Sequence, residues 1–229
     1  MASGARLFLF DIDGTLITSG GAGEAALIQA MASRFGILED MCDITLAGAT
    51  DVLIAASLLK KHGLEPSPPN IAALLDSYLH HLRDRLPKHD GRVLPGIVLL
   101  LDALKHRPET VVALLTGNLV KGAEIKLSHY GVWDYFEFGA FADDHHDRNE
   151  LGKFAQARAE EKHGIPFPPS KTFVIGDTPK DIECGKAIGA KTVAIATGIY
   201  DSDSLAKHAP DFLFENLQNT EAVLDALYS

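Results

Sequence analysis

The chain has 229 residues with a formal net charge of −10, and 46% of its residues are hydrophobic. That content supports a substantial core, either as one large domain or as a core with a smaller insert. The acidic balance disfavours nucleic acid as a partner, because nucleic-acid binders usually carry a basic stripe. No run approaches the roughly 20 apolar residues of a membrane span. The two cysteines, Cys42 and Cys184, are too few for a disulfide framework, so we expect a cytoplasmic protein.

In chain order, short runs of β-branched and aromatic residues alternate with stretches of helical spacing. The runs predict strands at residues 7–10, 111–115, 135–138, 172–175, 192–195 and 212–214. The helical spacing covers residues 98–105, 120–130, 150–163 and 179–187. This alternation predicts an α/β fold with a Rossmann-like parallel sheet as its core and helices on both faces.

The segment between the first two predicted strands does not follow that alternation. Residues 17–92 have helical spacing without a convincing strand, in stretches at residues 25–35, 52–62 and 71–86. A crossover between parallel strands usually needs one helix, so this segment is too long to be one. It predicts an inserted all-helical domain at 17–92, with the core formed by 1–16 and 93–229 and linkers near residues 18–23 and 91–96.

Two aspartates follow the first predicted strand directly, in the sequence Asp11-Ile12-Asp13-Gly14-Thr15-Leu16. Residues just past the carboxyl end of such a strand face the ligand crevice. Asp11 is placed to act as a nucleophile on phosphorus, and Asp13 to act as general acid and base. A calcium-binding loop would need glycine at its sixth position and glutamate at its twelfth. Leu16 and Ala22 stand there, which excludes that interpretation.

This motif resembles the first motif of the haloacid-dehalogenase (HAD)-like hydrolases, which are mostly phosphatases with an aspartate nucleophile. The resemblance covers almost the whole chain and is closest to the group of phosphoglycolate phosphatases and β-phosphoglucomutases. It implies that the helical insert is a cap domain, that Asp11 is the nucleophile, and that a small phosphorylated metabolite is the substrate.

The second core strand is followed by Thr116, Gly117 and Asn118. A hydroxyl and main-chain N–H groups at a strand end can form a phosphate-binding corner, although alone this triplet is more often a helix cap. It is similar to the second motif of the family. Thr116 is therefore predicted to be catalytic, and Gly117 and Asn118 to bind substrate.

Two further acids, Asp177 and Asp181, follow the fourth predicted strand, with Pro179 between them. Their spacing puts both on one side of a first helical turn. Capping of that helix is the alternative role, and it does not exclude contact with a metal. By resemblance Asp177 binds metal and Asp181 is a second ligand, direct or through water. Mg²⁺, which favours an octahedron of oxygens, is the expected cofactor. Its other ligands are expected to be Asp11 and the main-chain carbonyl of Asp13.

The family also places a cation before the helix that leads to that strand, and here the match is incomplete. The usual lysine followed by proline is missing, and Arg148 and Lys153 are the candidates. Arg148, which precedes the predicted helix, is favoured because its guanidinium can reach both phosphate and Asp11. In the insert, Asp51 is interpreted first as a helix cap and second as a substrate-specificity residue.

Two other patterns have simpler interpretations. The acidic and histidine-rich run at residues 143–147 resembles a transition-metal site, but adjacent loop residues rarely converge on one ion. Gly20, Gly21 and Gly23 precede a helix but lack the Gly-Lys-Ser/Thr that ends a P-loop. We interpret them as a hinge between the domains.

Several activities occur on this fold, so the site must discriminate between them. Asp13 disfavours carbon–halogen cleavage, because the family's dehalogenases lack this second acid. Neither Lys60 nor Lys61 is marked as a Schiff-base lysine for phosphonate cleavage. A sugar-phosphate mutase is the main alternative, and a non-catalytic binder of phosphorylated ligands is a second one. We predict a magnesium-dependent phosphatase for a small phosphomonoester such as phosphoglycolate or a sugar phosphate, acting as a monomer or homodimer.

Overall fold

Six parallel strands form the central sheet of the computed structural model, which describes residues 4–229. The strands are β1 (Arg6–Phe10), β2 (Ile17–Thr18), β3 (Arg92–Val93), β4 (Thr110–Leu115), β5 (Gly139–Ala140), β6 (Thr172–Gly176), β7 (Lys191–Ile195) and β8 (Phe212–Phe214). The central sheet has the order β5-β4-β1-β6-β7-β8. Three neighbouring strands of this sheet, β4, β1 and β6, precede the motifs that the sequence analysis identified.

Nine α-helices are present among residues 4–229. They are α1 (Ala22–Phe35), α2 (Asp51–Lys61), α3 (Pro68–Arg85), α4 (Ile97–Lys105), α5 (Val120–His129), α6 (Arg148–His163), α7 (Pro179–Ala187), α8 (Ser202–Ala206) and α9 (Thr220–Tyr228). None of the helices within the described residues combines the length and the apolar character that crossing a membrane requires.

Helices cover both faces of the sheet. The side chains of β1, which point alternately to the two faces, show this. Phe8 and Phe10 point into one apolar cluster together with residues of α4, α5 and α9. Leu7 and Leu9 point to the opposite face, into a second cluster with residues of α6 and α7. A strand with both faces buried is expected in a parallel sheet that helices cover on both faces. The predicted Rossmann-like α/β core is therefore confirmed.

Helices α1, α2 and α3, called here the helical layer, have an apolar cluster of their own. Its fully buried members include Met31, Leu58 and Leu74, one from each helix. The antiparallel pair β2–β3 lies where the chain leaves the sheet and returns to it, with Ile17 opposite Val93. Sequence analysis missed this pair, because two-residue strands leave no recognisable pattern.

The strand predicted at residues 135–138 is wrong. Residues Trp133–Tyr135 form a 3₁₀ turn, and the edge strand is the two-residue β5. The aromatic side chains there pack against the sheet cluster, so their apolar character reflects burial and not strand pairing. Helices α8 and α9 were not predicted either.

Candidate active site

Three neighbouring strand ends bring the predicted catalytic residues together. Asp11 follows β1, Thr116 follows β4 and Asp177 follows β6. The main-chain N–H of Asp11 donates to the carbonyl of Ile175 at 2.9 Å, and that of Thr116 donates to the carbonyl of Ala140 at 3.1 Å. The hydrogen bonding of the sheet therefore continues through the first residue after β1 and after β4, and fixes the positions of Asp11 and Thr116.

The turn after Asp11 packs closely against Asp177 and requires glycine. Gly14 has a φ of +84°, and a Cβ at this position would lie 2.3 Å from the carboxylate Oδ2 of Asp177. The Thr15 hydroxyl donates to Asp177 Oδ1 at 3.1 Å. The Thr197 hydroxyl donates to the carbonyl of Gly14 at 2.6 Å. These contacts hold the two acidic loops against each other.

Of the two candidate cations that the sequence offered, Arg148 lies beside Asp11 and Lys153 lies outside the site. The guanidinium Nη2 of Arg148 is 2.8 Å from Asp11 Oδ1 and also pairs with Asp181 Oδ1. All three side chains are at least nine-tenths buried. Lys153 is 59% exposed and pairs with Glu150. Helix α6 begins at Arg148 itself, one turn before Lys153, which is why only Arg148 reaches the strand ends.

The carboxylates of Asp11, Asp177 and Asp181 form a cluster in which one oxygen from each lies within 4.8 Å of the others. Burial raises the pKa of Asp11 to about 6 against the opposing charge of Arg148, and burial also raises the pKa of Asp177 to about 8. Grouped acids with raised pKa values favour a divalent cation, which offsets their repulsion. An all-oxygen donor set of this kind suits Mg²⁺.

Asp181 fits a direct metal contact less well than Asp11 and Asp177. Its Oδ1 pairs with Arg148, and its Oδ2 accepts from the main-chain N–H and the hydroxyl of Thr178. Asp181 and Thr178 together form a capping box at the start of α7. Both oxygens of Asp181 are therefore engaged, which favours contact with a cation through water.

On the other side of Asp11, a chain of hydrogen bonds runs from Thr116 to Asp13. Asn118 Nδ2 donates to Thr116 Oγ1 and to Asp13 Oδ2, both at 2.9 Å. The ammonium of Lys126 donates to Asp13 Oδ2 and to Asn118 Oδ1, both at 2.6 Å. Sequence analysis missed Lys126. The available signal was a lysine on the face of α5 that otherwise holds small and apolar residues.

The helical layer contacts the core beside this network. The main-chain N–H of Asp51 donates to the carbonyl of Gly117 at 2.7 Å, and the Asp51 carboxylate accepts from the N–H of Leu119 at 2.8 Å. The interpretation of Asp51 as a helix cap is therefore wrong. Thr50 is the capping residue and accepts from Leu53, so the Asp51 side chain is free to turn towards the core loop.

A cavity of about 840 Å³ lies between the strand ends and the helical layer. Asp11, Asp13, Asp177, Arg148 and Lys126 line it from the core, with Gly117 and Asn118 beside them. Asp51 and Tyr78 line it from the helical layer. Thr116 and Asp181 are not part of the lining and lie buried behind it. A volume of this size is typical of small-molecule sites.

The run at residues 143–147 has structural roles. Asp143 accepts from the N–H of Val120, and Asp144 forms an ion pair with Arg158. Asp147 caps the start of α6. His145 and His146 stack on each other. These partners account for the cluster without a transition metal.

Comparison with known proteins agrees with this arrangement. Residues 150–220, which run from α6 through β6, α7, β7 and β8 to the start of α9, match the family model described as HAD-hydrolase-like. Over these residues the chain is similar to the HAD-like hydrolases. This confirms the family that the motifs of the sequence predicted.

Relatives that match the chain over nearly its full length have phosphatase names. An N-acetylmuramic acid 6-phosphate phosphatase of Pseudomonas aeruginosa is 28% identical, with 96% of this chain and 95% of that protein aligned. A phosphoglycolate phosphatase of Synechococcus elongatus is 27% identical, with 92% of each aligned. Among solved structures, CbbY from Rhodobacter sphaeroides in complex with phosphate has a TM-score of 0.77 at 19% identity, covering 96% of this chain and 99% of that one. At that identity, the likeness supports the fold alone.

Proposed function

We propose that this protein is a magnesium-dependent phosphatase that transfers the phosphoryl group of a small phosphomonoester to Asp11 and then hydrolyses the aspartyl-phosphate. The observation that carries the proposal is the buried pairing of Asp11 with Arg148 beside Asp177, at the base of a cavity that Asp13 also lines. The phosphatase names of relatives that align over nearly the whole chain support the same reaction class.

In the first step, a carboxylate oxygen of Asp11 forms a bond to phosphorus while the bond from phosphorus to the leaving oxygen breaks. Asp13 gives its proton to that oxygen, which leaves as an alcohol. In the second step, a water oxygen bonds to phosphorus and the bond between phosphorus and Asp11 breaks. Asp13 takes the proton from this water, so it is again protonated for the next turnover.

Two positive charges, the Arg148 guanidinium and Mg²⁺, would offset the negative charge on the phosphoryl oxygens. The Arg148 guanidinium is held between Asp11 and Asp181, and its buried Nε has no hydrogen-bond partner among the described residues. A guanidinium in this position is suited to bind phosphoryl oxygens. Asp11, Asp177 and the main-chain carbonyl of Asp13 would hold Mg²⁺, with Asp181 acting through water. When bound, the ion would neutralise negative charge at the phosphoryl group. The hydroxyl of Thr116 accepts a hydrogen bond from Asn118 Nδ2. We propose that it contributes to binding of the phosphoryl group through Asn118.

The helical layer is proposed to act as a cap, with residues 17–92 as the cap domain. Its hydrogen bonds between Asp51 and the loop at Gly117 and Leu119 cover one side of the cavity, next to the catalytic acids. A closed cavity excludes bulk water during phosphoryl transfer, which strengthens every electrostatic contact within it.

The charges that line the cavity favour a substrate whose leaving group is uncharged. Arg148 and Lys126 are the cations among the described lining residues, and both are already paired with acids. Glu24, from the helical layer, adds a further negative charge. A substrate carboxylate would therefore face like charges without a free cation. This favours a sugar or polyol monophosphate over phosphoglycolate.

The test is phosphate release from a panel of small phosphomonoesters, each measured with Mg²⁺ and with EDTA. We expect release that requires Mg²⁺, with kcat/KM for the best neutral sugar or polyol phosphate at least about tenfold above that for phosphoglycolate. Release of phosphate from none of the esters would contradict the proposed phosphatase activity. A preference for phosphoglycolate would contradict only the proposed substrate class.

The pH dependence of Mg²⁺ binding gives a second test. Because burial raises the pKa of Asp177 to about 8 and that of Asp11 to about 6, the free protein holds protons that a bound cation must displace. Affinity should therefore rise about tenfold per pH unit from pH 6 to pH 8 and level off above pH 8. Calorimetry with Mg²⁺ in buffers of different ionisation enthalpy measures both the affinity and the protons released.

Asp177→Asn is the matched variant for this experiment, because it removes the group with the higher pKa. The variant should bind Mg²⁺ more weakly and release almost no proton between pH 7 and pH 8, because Asp11, with a pKa of about 6, is by then largely ionised. An affinity of the unmodified protein that stays constant over this range would show that the acids are already ionised before the metal binds.

A further inference from the structure

We propose that Lys126 is a positioning residue that, together with Asn118, fixes the carboxylate of Asp13 so that one of its oxygens meets the leaving group. This inference rests on the proposed phosphatase function, in which Asp13 is the acid and base. It concerns a residue of α5 that contributes no atom to the bonds that form or break.

The burial of Lys126 calls for a charged partner. Its side chain is only 6% exposed, in a helix whose other buried residues are Gly122, Ala123 and Leu127. Lysine is almost never this buried unless it is paired, because removing an ammonium from water costs several kcal/mol. The partner is Asp13, at 2.6 Å, whose side chain remains 40% exposed. An exposed carboxylate does not itself need such a partner, so the pair serves to hold Asp13 in place.

The geometry of the pair leaves the two oxygens of Asp13 in different environments. Oδ2 accepts from Lys126 Nζ at 2.6 Å and from Asn118 Nδ2 at 2.9 Å. Oδ1 accepts none of the hydrogen bonds formed among residues 4–229. Two donors on Oδ2 fix the rotation of the carboxylate. Asp13 also lines the cavity in which the substrate would bind. Oδ1 is therefore the oxygen left available for proton transfer to the substrate.

Lys126 and Asn118 also hold each other. Lys126 Nζ donates to Asn118 Oδ1 at 2.6 Å, and Asn118 is anchored through its Nδ2 to Thr116 at the end of β4. Both donors to Asp13 are thus fixed to the sheet. The Tyr78 hydroxyl of the helical layer lies on the same side as the ammonium, since a Cβ at Gly23 would lie 3.9 Å from that hydroxyl and 4.0 Å from Lys126 Nζ. The charge of Lys126 also opposes the rise that burial causes in the pKa of Asp51.

A purely structural role for Lys126 and a positioning role make different predictions about the leaving group. Proton donation matters more when the leaving oxygen is more basic. Misplacing Asp13 should therefore slow transfer from an alkyl phosphate far more than from p-nitrophenyl phosphate, whose phenolate leaves without help. A general loss of structure would slow both reactions alike. The value of kcat/KM isolates this step, because kcat/KM depends only on the steps up to and including the first irreversible one.

The experiment measures kcat/KM of Lys126→Met for both esters, with the best alkyl phosphate of the panel as the first. We expect a loss of at least about 100-fold with the alkyl ester and less than about tenfold with p-nitrophenyl phosphate. Lys126→Arg, which keeps a cationic donor, should recover part of the alkyl activity. Lys121→Met, an exposed lysine of the same helix, is the matched control and should leave both values unchanged.

Lys126→Gln provides a neutral donor if the methionine variant does not fold, and it should show the same selective loss in weaker form. Equal losses with both esters, or no loss with either, would overturn the positioning role. Asp13→Asn separates the two hypotheses. If that variant shows no leaving-group dependence, then the acid role of Asp13 fails, whereas dependence in Asp13→Asn without dependence at Lys126 refutes this inference alone.

Discussion

Asp11→Asn should abolish phosphatase turnover, with kcat reduced at least about 10³-fold. The amide cannot act as a nucleophile on phosphorus, and catalytic groups that act as a unit lose most of their effect when one is removed. The fold should be retained, because Asn can still accept a hydrogen bond from Arg148 at the position of Oδ1, 2.8 Å away in the unmodified site. Steady-state phosphate release and a thermal unfolding curve measure the two effects.

The matched control for this variant is Asp203→Asn, which makes the same chemical change in the first turn of the peripheral helix α8. It should leave turnover unchanged. Residual activity of Asp11→Asn within about tenfold of the unmodified enzyme would rule out Asp11 as the nucleophile. Because a trace of deamidation would restore aspartate, the residual rate should also be followed against the age of the preparation.

Arg148→Met should lower both activity and stability. Methionine removes the cation between Asp11 and Asp181, and leaves two buried carboxylates without their shared partner. Breaking a buried ion pair typically costs about 3–5 kcal/mol of unfolding free energy. The loss of unfolding free energy should become smaller as the pH falls, because protonated carboxyl groups need no counter-charge. Loss of the phosphate-binding guanidinium should also reduce kcat/KM about 10²- to 10³-fold.

Urea unfolding in the presence of EDTA measures the stability without interference from a bound cation. Lys153→Met is the control, because Lys153 is the other candidate cation of the sequence and is mostly exposed. It should change neither stability nor kcat/KM appreciably. Arg148→Lys should be intermediate in both measurements, since one ammonium does not reproduce the planar fork of a guanidinium. A large effect at Lys153 with none at Arg148 would reverse the assignment.

Much of the fold was predictable because its signals are local. The alternation of apolar runs with helical spacing predicted the five longer strands of the sheet and four of its covering helices, α4 to α7, since a strand buried on both faces must be apolar throughout. The errors fall where the signal is short or ambiguous. The pair β2–β3 has two residues in each strand. The aromatic segment before β5 is apolar because it packs against the sheet, and periodicity does not separate that from strand pairing.

The candidate site was predictable to the extent that its residues follow strands. Asp11, Thr116 and Asp177 could be named because parallel strands end at the same edge of a sheet. Lys126 and Asp51 could not be placed in this way, since each lies on a helix and reaches the site through tertiary packing. A lysine within a helix is ordinarily solvated, and only the structure shows that this one faces Asp13. Asp51 has the usual sequence context of a helix cap, and its contact with Leu119 depends on how the helical layer meets the core.

The most direct test of the central claim is to look for a phosphoryl group on Asp11. The enzyme is incubated with Mg²⁺ and its best phosphomonoester, quenched in acid during turnover, and mapped by peptide mass spectrometry. Asp13→Asn is run in parallel with p-nitrophenyl phosphate, whose leaving group needs no proton from Asp13, so that slower hydrolysis of the intermediate should make it accumulate. We predict one phosphoryl group on the peptide that contains Asp11, absent from Asp11→Asn. Phosphate release without any phosphorylated peptide, or with the group on another residue, would contradict the account.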